Sequence, residues 1–332
     1  MKKKSEILPN NICFITHQLE HLHNVSVSIS FKAGSLYESK YNNGISHLVE
    51  HLFFRQLSDL SQESLYFNMQ KIGGEITGKT YCDYVTFSIN VIPQYLYDAL
   101  DIMLKFFDDF EWSNSIILKE KEVVLRQIEN KAYSYNQWID SIYFDNTKYT
   151  LPIMGTKKTV KSLTAFEINS WKKEYFSPTN SCVTITGNFS NEFYDFLKQK
   201  LSIINNFGKK QDPIIEIAPN FTKRNSDNYL TVINADSKLS EVVVLFDIKN
   251  SFDYESVKLI TSILSDGCGS KLSMIMREKY QLTDDIFTQL TSYCGFHRYS
   301  ISYTVKNKNI FNSIDIFFKI INEIKTDITL NE

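Results

Sequence analysis

The stretch His47-Leu48-Val49-Glu50-His51 sets two histidines and a glutamate at a spacing that suits one face of a helix. On a helix, residues four apart share a face, so His47 and His51 project together and Glu50 lies on the neighbouring arc. Two imidazoles placed this way can bind a zinc ion, and the carboxylate can take a proton from water that the zinc acidifies. The motif therefore predicts a zinc site in which Glu50 is the general base.

The residues around the motif favour a helix. Asn42-Asn43-Gly44 is a turn signal, and Ser46 is a candidate N-cap. A broad apolar face follows at helical spacing, made of Ile45, Leu48, Val49, Leu52 and Phe53. The structural alternative is a core helix that carries two solvated histidines, and the rest of the chain decides between these two interpretations.

Composition places the chain among globular proteins, with 43% apolar residues, 22% charged residues and a net charge of −2 over 332 residues. This length allows a sizeable core and two domains. The near-neutral charge gives no reason to expect nucleic acid or a membrane surface as partner. No apolar run approaches a membrane span, and no signal core follows the lysines at the start, so a cytoplasmic location is expected. The five cysteines form no Cys-x-x-Cys pair and are expected to be reduced thiols.

Hydrophobic periodicity outlines two halves of the chain. Strands are expected at residues 24–31, 75–80, 84–91 and 181–187, and helices at 95–107 and 115–133. The polar segment 207–227 holds two prolines and is expected to link an N-terminal half, 1–206, to a C-terminal half, 228–332. In the second half, a strand at 241–246 and a helix at 254–264 repeat the order of the first strand and the metal helix, but without histidines. This repetition indicates an internal duplication with one metal site.

Several further stretches resemble the pitrilysin/insulinase family of metallopeptidases, in particular the short-chain branch that includes mitochondrial processing peptidase. They are Phe31-Lys32-Ala33-Gly34-Ser35-Leu36-Tyr37-Glu38, Ile72-Gly73-Gly74-Glu75-Ile76-Thr77-Gly78, Leu151-Pro152-Ile153-Met154-Gly155, Tyr175-Phe176-Ser177-Pro178-Thr179-Asn180 and Thr186-Gly187-Asn188. The resemblance implies an α+β fold of two homologous halves, each a mainly antiparallel sheet backed by helices. The second half is expected to be incomplete, because it is much shorter than the first.

The resemblance also implies an activity and a partner. In this family four such halves enclose a chamber that holds extended peptides, so a chain of two halves would pair with a homologous subunit, as a heterodimer or a homodimer. The implied function is that of a zinc endopeptidase subunit that cuts small peptides or leader segments inside the dimeric chamber. The alternative is a non-catalytic family member that binds peptide or supports a catalytic partner.

The third metal ligand departs from the family pattern. The family has a glutamate on a later helix, and at the matching place, 76 residues after His51, this chain has Gln127. A neutral amide oxygen is a weaker zinc ligand than a carboxylate and leaves the site with one more positive charge. Glu120 lies two helical turns earlier on the same face and matches a second acidic residue of the family. Glu120 is therefore a candidate catalytic residue, as a neighbour of the metal ligands or as a ligand itself, with a plain surface charge as the alternative.

Peptide binding is implied for three further positions. Thr77 and Gly78 lie in the family's strand-entry stretch, with Thr77 where an asparagine is usual. Lys271 occupies the place of a substrate-binding arginine, and Asp284 that of a substrate-binding tyrosine. Since paired members of the family divide the zinc site and the arginine–tyrosine pair between two subunits, this chain is similar to the zinc-bearing member of such a pair.

Overall fold

The computed structural model describes residues 2–130, 139, 148–205, 207–208, 237–248, 254–267, 269–293 and 296–326. The contacts divide the chain into two compact units, 1–214 and 215–332. The expected linker, 207–227, lies outside the described residues except for Phe207 and Gly208, so its boundaries stay a prediction. No helix in the described ranges is long and apolar enough to cross a membrane.

A six-stranded sheet organises the first unit. In chain order the strands of this unit are β1 (Lys2–Ile7), β2 (Cys13–Gln18), β3 (Val25–Phe31), β4 (Gln56–Leu57), β5 (Leu60–Ser61), β6 (Glu75–Thr80), β7 (Val85–Val91) and β8 (Ser181–Gly187), of which β4 and β5 form a separate short hairpin. The sheet order is β1-β2-β8-β3-β7-β6, and every neighbouring pair is antiparallel except β2 and β8. Strand β6 therefore lies at an edge of the sheet.

Burial explains the alternation that predicts β3. Its apolar residues are buried in the core that the sheet forms with the helices, and its serines lie on the opposite face. On that face the Ser28 hydroxyl lies 2.8 Å from the Ser88 hydroxyl of β7. One side of the sheet is thus apolar and the other is polar, as expected for an antiparallel sheet covered on one face.

In the described part of the first unit, the α-helices of two or more turns or nearly so are α1 (Ile45–Arg55), α2 (Gln62–Lys71), α3 (Leu96–Leu104), α4 (Asn114–Asn130), α5 (Lys157–Ser162), α6 (Ala165–Tyr175) and α7 (Asn191–Ser202). The helix expected at 95–107 is α3 with a short 3₁₀ turn at each end, Pro93–Tyr95 and Lys105–Phe107. Proline fixes φ at the start of the first turn, which suits the entry to a helix. The helix expected at 115–133 is α4, and residues 131–133 lie outside the described part.

The second unit repeats the arrangement of β3, α1, β6 and β7. Its three-stranded antiparallel sheet contains β9 (Leu239–Ile248), β10 (Ile286–Tyr293) and β11 (Phe296–Lys306), and its helices include α8 (Tyr254–Ser265), the π-helical segment Ser273–Lys279 and α9 (Ile310–Thr326). The strand order β9-β11-β10 matches the order β3-β7-β6 of the first unit, and α8 follows β9 as α1 follows β3. The predicted α+β fold of two related halves is confirmed.

Candidate functional site

A buried carboxylate fixes the start of helix α1. Glu38 accepts hydrogen bonds from the backbone N–H of Gly44 (2.7 Å) and of Ser46 (2.9 Å) and from the side-chain amide of Asn43 (2.8 Å). The prediction that Ser46 caps the helix is wrong, because its hydroxyl accepts instead from the backbone N–H of Gly34 at 3.0 Å. Burial raises the pKa of Glu38, although these hydrogen bonds oppose the rise. Glu38, which precedes α1 in the chain, thus binds the free N–H groups at the start of this helix.

His47 and His51 share a face of α1, as their spacing predicts. Their ring centroids are 4.6 Å apart, and the ring planes are inclined by 55°. Both side chains are half-buried, while the apolar face of the helix is fully buried in the core of the first unit. The two rings therefore lie side by side on α1, and neither is fully exposed.

Glu120 of α4 is buried and contacts α1. Its Oε1 lies 3.0 Å from Nδ1 of His51, and its Oε2 lies 2.7 Å from both Nε and Nη2 of Arg55. Only 4% of Glu120 is exposed, so the alternative of a surface charge is wrong. Burial alone would raise the pKa of Glu120, but the hydrogen bonds from His51 and Arg55 and the Arg55 charge lower it below its usual value. Glu120 is therefore an anion that holds the ring of His51.

Gln127 lies two turns beyond Glu120 on the same helix. Helices α1 and α4 run in opposite directions, because Trp112 just before α4 donates to the carbonyl of Gln56 just after α1 (3.0 Å). At the start of α1, the side-chain amide of Asn43 donates to the carbonyl of Pro152. Shortly after Pro152 in the chain, Lys157 of α5 forms an ion pair with Glu129 near the end of α4. Gln127 lies two turns, about 10 Å, beyond Glu120 along α4. Because the two helices are antiparallel, this displacement runs from the His51 end of the motif towards the His47 end. The Oε1 atom of Gln127 is buried and has no hydrogen-bond partner among the described residues.

Glu50 faces the edge strand β6. Its Oε2 accepts a hydrogen bond of 2.8 Å from the Thr80 hydroxyl. A Cβ atom on Gly78 would lie 2.7 Å from Oε1 of Glu50 and 2.5 Å from the Phe54 ring, so a side chain at this position would displace the carboxylate. Thr77 pairs with Ser88 and, by strand alternation, projects to the opposite face of the sheet. Burial raises the pKa of Glu50, although Thr80 and His51 oppose the rise.

The donor set fits a metal ion, with one weak ligand. The two imidazoles lie side by side on α1, and α4 carries the buried oxygen of Gln127 two turns after the glutamate that contacts His51. Within the described ranges no three His, Cys, Asp or Glu side chains come together as a metal site, so a third strong donor is missing there. Two nitrogen donors and one amide oxygen suit zinc, but they bind it less tightly than a set with a carboxylate.

Two further positions of the sequence prediction belong to the second unit. Lys271 lies two residues before the π-helical segment, and Asp284 is exposed. Their places relative to the histidines stay predictions.

Sequence reasoning overlooked two residues of the site. Arg55 lies four residues after His51, so helical spacing places it on the same face and could have revealed it. Thr80 lies two residues after Gly78 in β6, so strand alternation puts both on the side of α1. Neither spacing shows which side chain would meet them, since Glu120 and Glu50 reach them only in the folded chain.

Comparison with known proteins identifies the family of the chain. The family model described as Insulinase (Peptidase family M16) matches residues 14–157, and the model described as Peptidase M16 inactive domain matches residues 162–332. The chain is 26% identical over 192 residues to an uncharacterised zinc protease of Bacillus subtilis, a match that covers 55% of the chain and 46% of that protein. It is 22% identical over 330 residues to an uncharacterised zinc protease of Rickettsia felis, which covers 97% of the chain and 76% of that protein.

A plant enzyme subunit and a solved structure extend these similarities. The chain is 21% identical over 257 residues to a probable mitochondrial-processing peptidase subunit beta of Arabidopsis thaliana, covering 76% of the chain and 48% of that protein. A crystal structure titled as a peptidase M16 inactive domain, from Pseudomonas fluorescens, superposes with a TM-score of 0.83 at 13% identity, covering all of the chain and 81% of that structure. Because the two family models together match nearly the whole chain from residue 14 onward, the chain belongs to the M16 (insulinase) family of peptidases.

Proposed function

We propose that the chain is the zinc-bearing subunit of an endopeptidase that cuts small peptides or leader segments, and that it works with a homologous partner. The observation that carries this proposal is the orientation of His51 by a buried anion, on a helix that also presents His47 and Glu50. Histidines that bind zinc usually donate their other ring N–H to a carboxylate in this way. The names of the bacterial relatives, zinc proteases, support the same chemistry.

The proposed ligands are His47, His51 and Gln127. Glu120 remains outside the ligand set, because one of its oxygens contacts His51 and the other contacts Arg55. The buried oxygen of Gln127, by contrast, has no other partner among the described residues. Burying a polar atom without a partner costs free energy, so a metal ligand role would account for its place.

Glu50 is the proposed general base. Zinc, when bound, polarises a peptide carbonyl and acidifies water. Glu50 takes the proton from the attacking water and delivers it to the leaving amine. Its raised pKa suits both transfers, because a general base works best when its pKa lies nearer the working pH. Thr80 keeps the carboxylate in place through its hydrogen bond.

The outer edge of β6, which pairs with no further strand within the described ranges, is the proposed binding site for the peptide. An edge strand has unpaired backbone N–H and C=O groups, and an extended peptide can add to it as a further strand. Gly78 lies in this edge strand beside Glu50, so a peptide paired with β6 would have its backbone near the base. Thr77 would take part through its backbone, because its side chain projects to the other face.

One observation favours a second candidate, a non-catalytic member that binds peptide or supports a catalytic partner. The third ligand position holds the neutral amide of Gln127, and a weak site would lose zinc. The zinc content of the purified protein separates the two proposals. Near-stoichiometric zinc supports the enzyme, and zinc that never binds supports the non-catalytic role.

Gln127→Glu is expected to strengthen zinc binding by about tenfold or more, because it restores a carboxylate donor and removes one unit of positive charge. The measurement is the rate at which a chelator removes zinc from the variant and from the wild type. Gln70→Glu is the matched control, since it adds the same charge at an exposed position of α2. We expect the control to leave the rate unchanged.

Glu120→Ala completes this test. As a neighbour that orients His51, Glu120 should contribute about 10- to 100-fold to zinc affinity. If Glu120→Ala removes the metal altogether while Gln127→Glu changes nothing, then Glu120 is the ligand and the assignment of Gln127 is wrong.

The isolated chain is expected to be a weak peptidase, and a homologous subunit is expected to restore its activity. The reason is that Lys271 and Asp284 stand where a family member that binds substrate would carry arginine and tyrosine. The name of the Arabidopsis relative, a subunit beta, supports pairing. The measurement is cleavage of a peptide library by the chain alone and after mixing with a family member from the same genome. High activity of the chain alone would contradict pairing.

A further inference from the structure

Arg55 contacts the carboxylate of Glu120, which in turn contacts His51. It lies one turn after His51 on α1, and its Nε and Nη2 both lie 2.7 Å from Oε2 of Glu120. Its remaining terminal nitrogen, Nη1, donates to Oε1 of Gln62 at 2.8 Å. A chain of hydrogen bonds therefore connects the first turn of α2 to Nδ1 of His51, through the side chains of Gln62, Arg55 and Glu120.

These contacts restrict the tautomer of His51. A carboxylate paired with a guanidinium is ionised and can only accept hydrogen bonds, so Nδ1 of His51 has to be the donor to Oε1 of Glu120. In a neutral imidazole, a proton on Nδ1 leaves Nε2 as the atom with a lone pair. Nε2 is then the atom that His51 can offer to a metal ion.

Arg55 also restricts the position of Glu120. The guanidinium takes one carboxylate oxygen and leaves the other for His51. The carboxylate is nearly completely buried, with 6% of its side chain exposed, whereas 31% of Arg55 is exposed. Without its guanidinium, the buried carboxylate would be free to turn towards another donor. Arg55 therefore prevents a rotation that would release His51.

We propose that Arg55 is a positioning residue for the metal site: it holds Glu120 so that His51 keeps its proton on Nδ1 and presents Nε2. This inference rests on the proposed function, because it assumes that His51 serves as a ligand. It assigns no contact with substrate to Arg55. A purely structural role, in which Arg55 only joins α1 to α4, would affect stability and leave the tautomer and the metal affinity unchanged.

The test compares Arg55→Met, Arg55→Lys and the control Arg126→Met. Arg126 is exposed on α4, next to Gln127, so its substitution removes a guanidinium nearby without touching Glu120. The first measurement is the zinc dissociation constant from chelator competition. We expect Arg55→Met to raise it by about tenfold and Arg126→Met to leave it unchanged, while Arg55→Lys, which keeps the charge but loses the fork of donors, falls between them.

The second measurement is the tautomer of His51 in metal-free protein, from nitrogen-15 NMR of labelled histidine at about pH 8. We expect the Nδ1–H form in the wild type, in Arg55→Lys and in Arg126→Met, and a mixture of both tautomers in Arg55→Met. Thermal unfolding of each variant separates these effects from a loss of stability.

The proposal is overturned if Arg55→Met lowers the melting temperature but changes neither the tautomer nor the zinc dissociation constant. If the wild type binds no zinc, the proposed function fails on its own, and the tautomer in metal-free protein still tests the role of Arg55. Should Arg55→Met not fold, Arg55→Gln replaces it with the same expected and contrary outcomes, because it removes the charge but keeps a polar side chain.

Discussion

Glu50→Gln is expected to abolish peptide cleavage, by about a thousandfold or more, and to leave zinc binding unchanged. The substitution keeps the size of the side chain and its capacity to accept the hydrogen bond from Thr80, but it removes the group that takes the proton from water. Since Glu50 is no proposed ligand, the metal should stay. The measurements are turnover of a peptide by the assembled enzyme and the zinc content of the same sample.

The control for Glu50→Gln is Glu122→Gln, which removes one carboxylate at an exposed position of α4 and should retain full activity. If Glu50→Gln retains substantial turnover, then another group is the base. If it loses zinc as well as activity, Glu50 contributes to the metal site and its role has to be reassigned.

His47→Ala and His51→Ala are each expected to weaken zinc binding by at least about a hundredfold, because each removes one of two strong donors. Apart from Ser46 and Glu50, the buried residues of α1 are apolar, so the helix offers no further imidazole in place of the one that is removed. Elemental analysis after dialysis and chelator competition measure the loss. His23→Ala, at an exposed position before β3, is the matched control and should retain the metal.

Unchanged zinc in both His47→Ala and His51→Ala would contradict the site itself. A loss in only one of them would show that the other imidazole is not a ligand. In both variants the melting temperature of metal-free protein has to be compared with that of the wild type, because both rings are half-buried and their removal leaves space in the packing.

Local patterns predicted most of the first unit because they depend on neighbours within one or two turns. The alternation of apolar and polar residues located β3, and the spacing of three and four located α1. The order of the sheet could not be obtained in this way. Strand β8 lies between β2 and β3, and residues 25–31 pair with residues that are 150 to 162 positions away in the sequence. Such pairing depends on the packing of the whole core. The periodicity of apolar residues within one strand does not specify which strand it pairs with.

The start of α1 shows the same limit at a single residue. Ser46 is a suitable N-cap by residue type, but the fold uses Glu38, whose two oxygens reach the backbone N–H groups of Gly44 and Ser46. A local rule compares residues by their intrinsic preference. Such a rule does not include the turn that brings the longer side chain of Glu38 to these N–H groups. Nor does it include the backbone N–H of Gly34, which donates to the Ser46 hydroxyl.

The sequence by itself determined the pair of histidines and the neighbouring glutamate. Their spacing is fixed by the covalent chain, and any α-helix turns a spacing of four into a shared face. It also determined the neutral residue at position 127. Only the tertiary structure decided that Glu120 holds His51 and Arg55, and that Thr80 holds Glu50. The physical reason is distance along the chain. These partners are between 30 and 69 residues apart, and only the packing of α4 and β6 against α1 brings their polar atoms within hydrogen-bond distance.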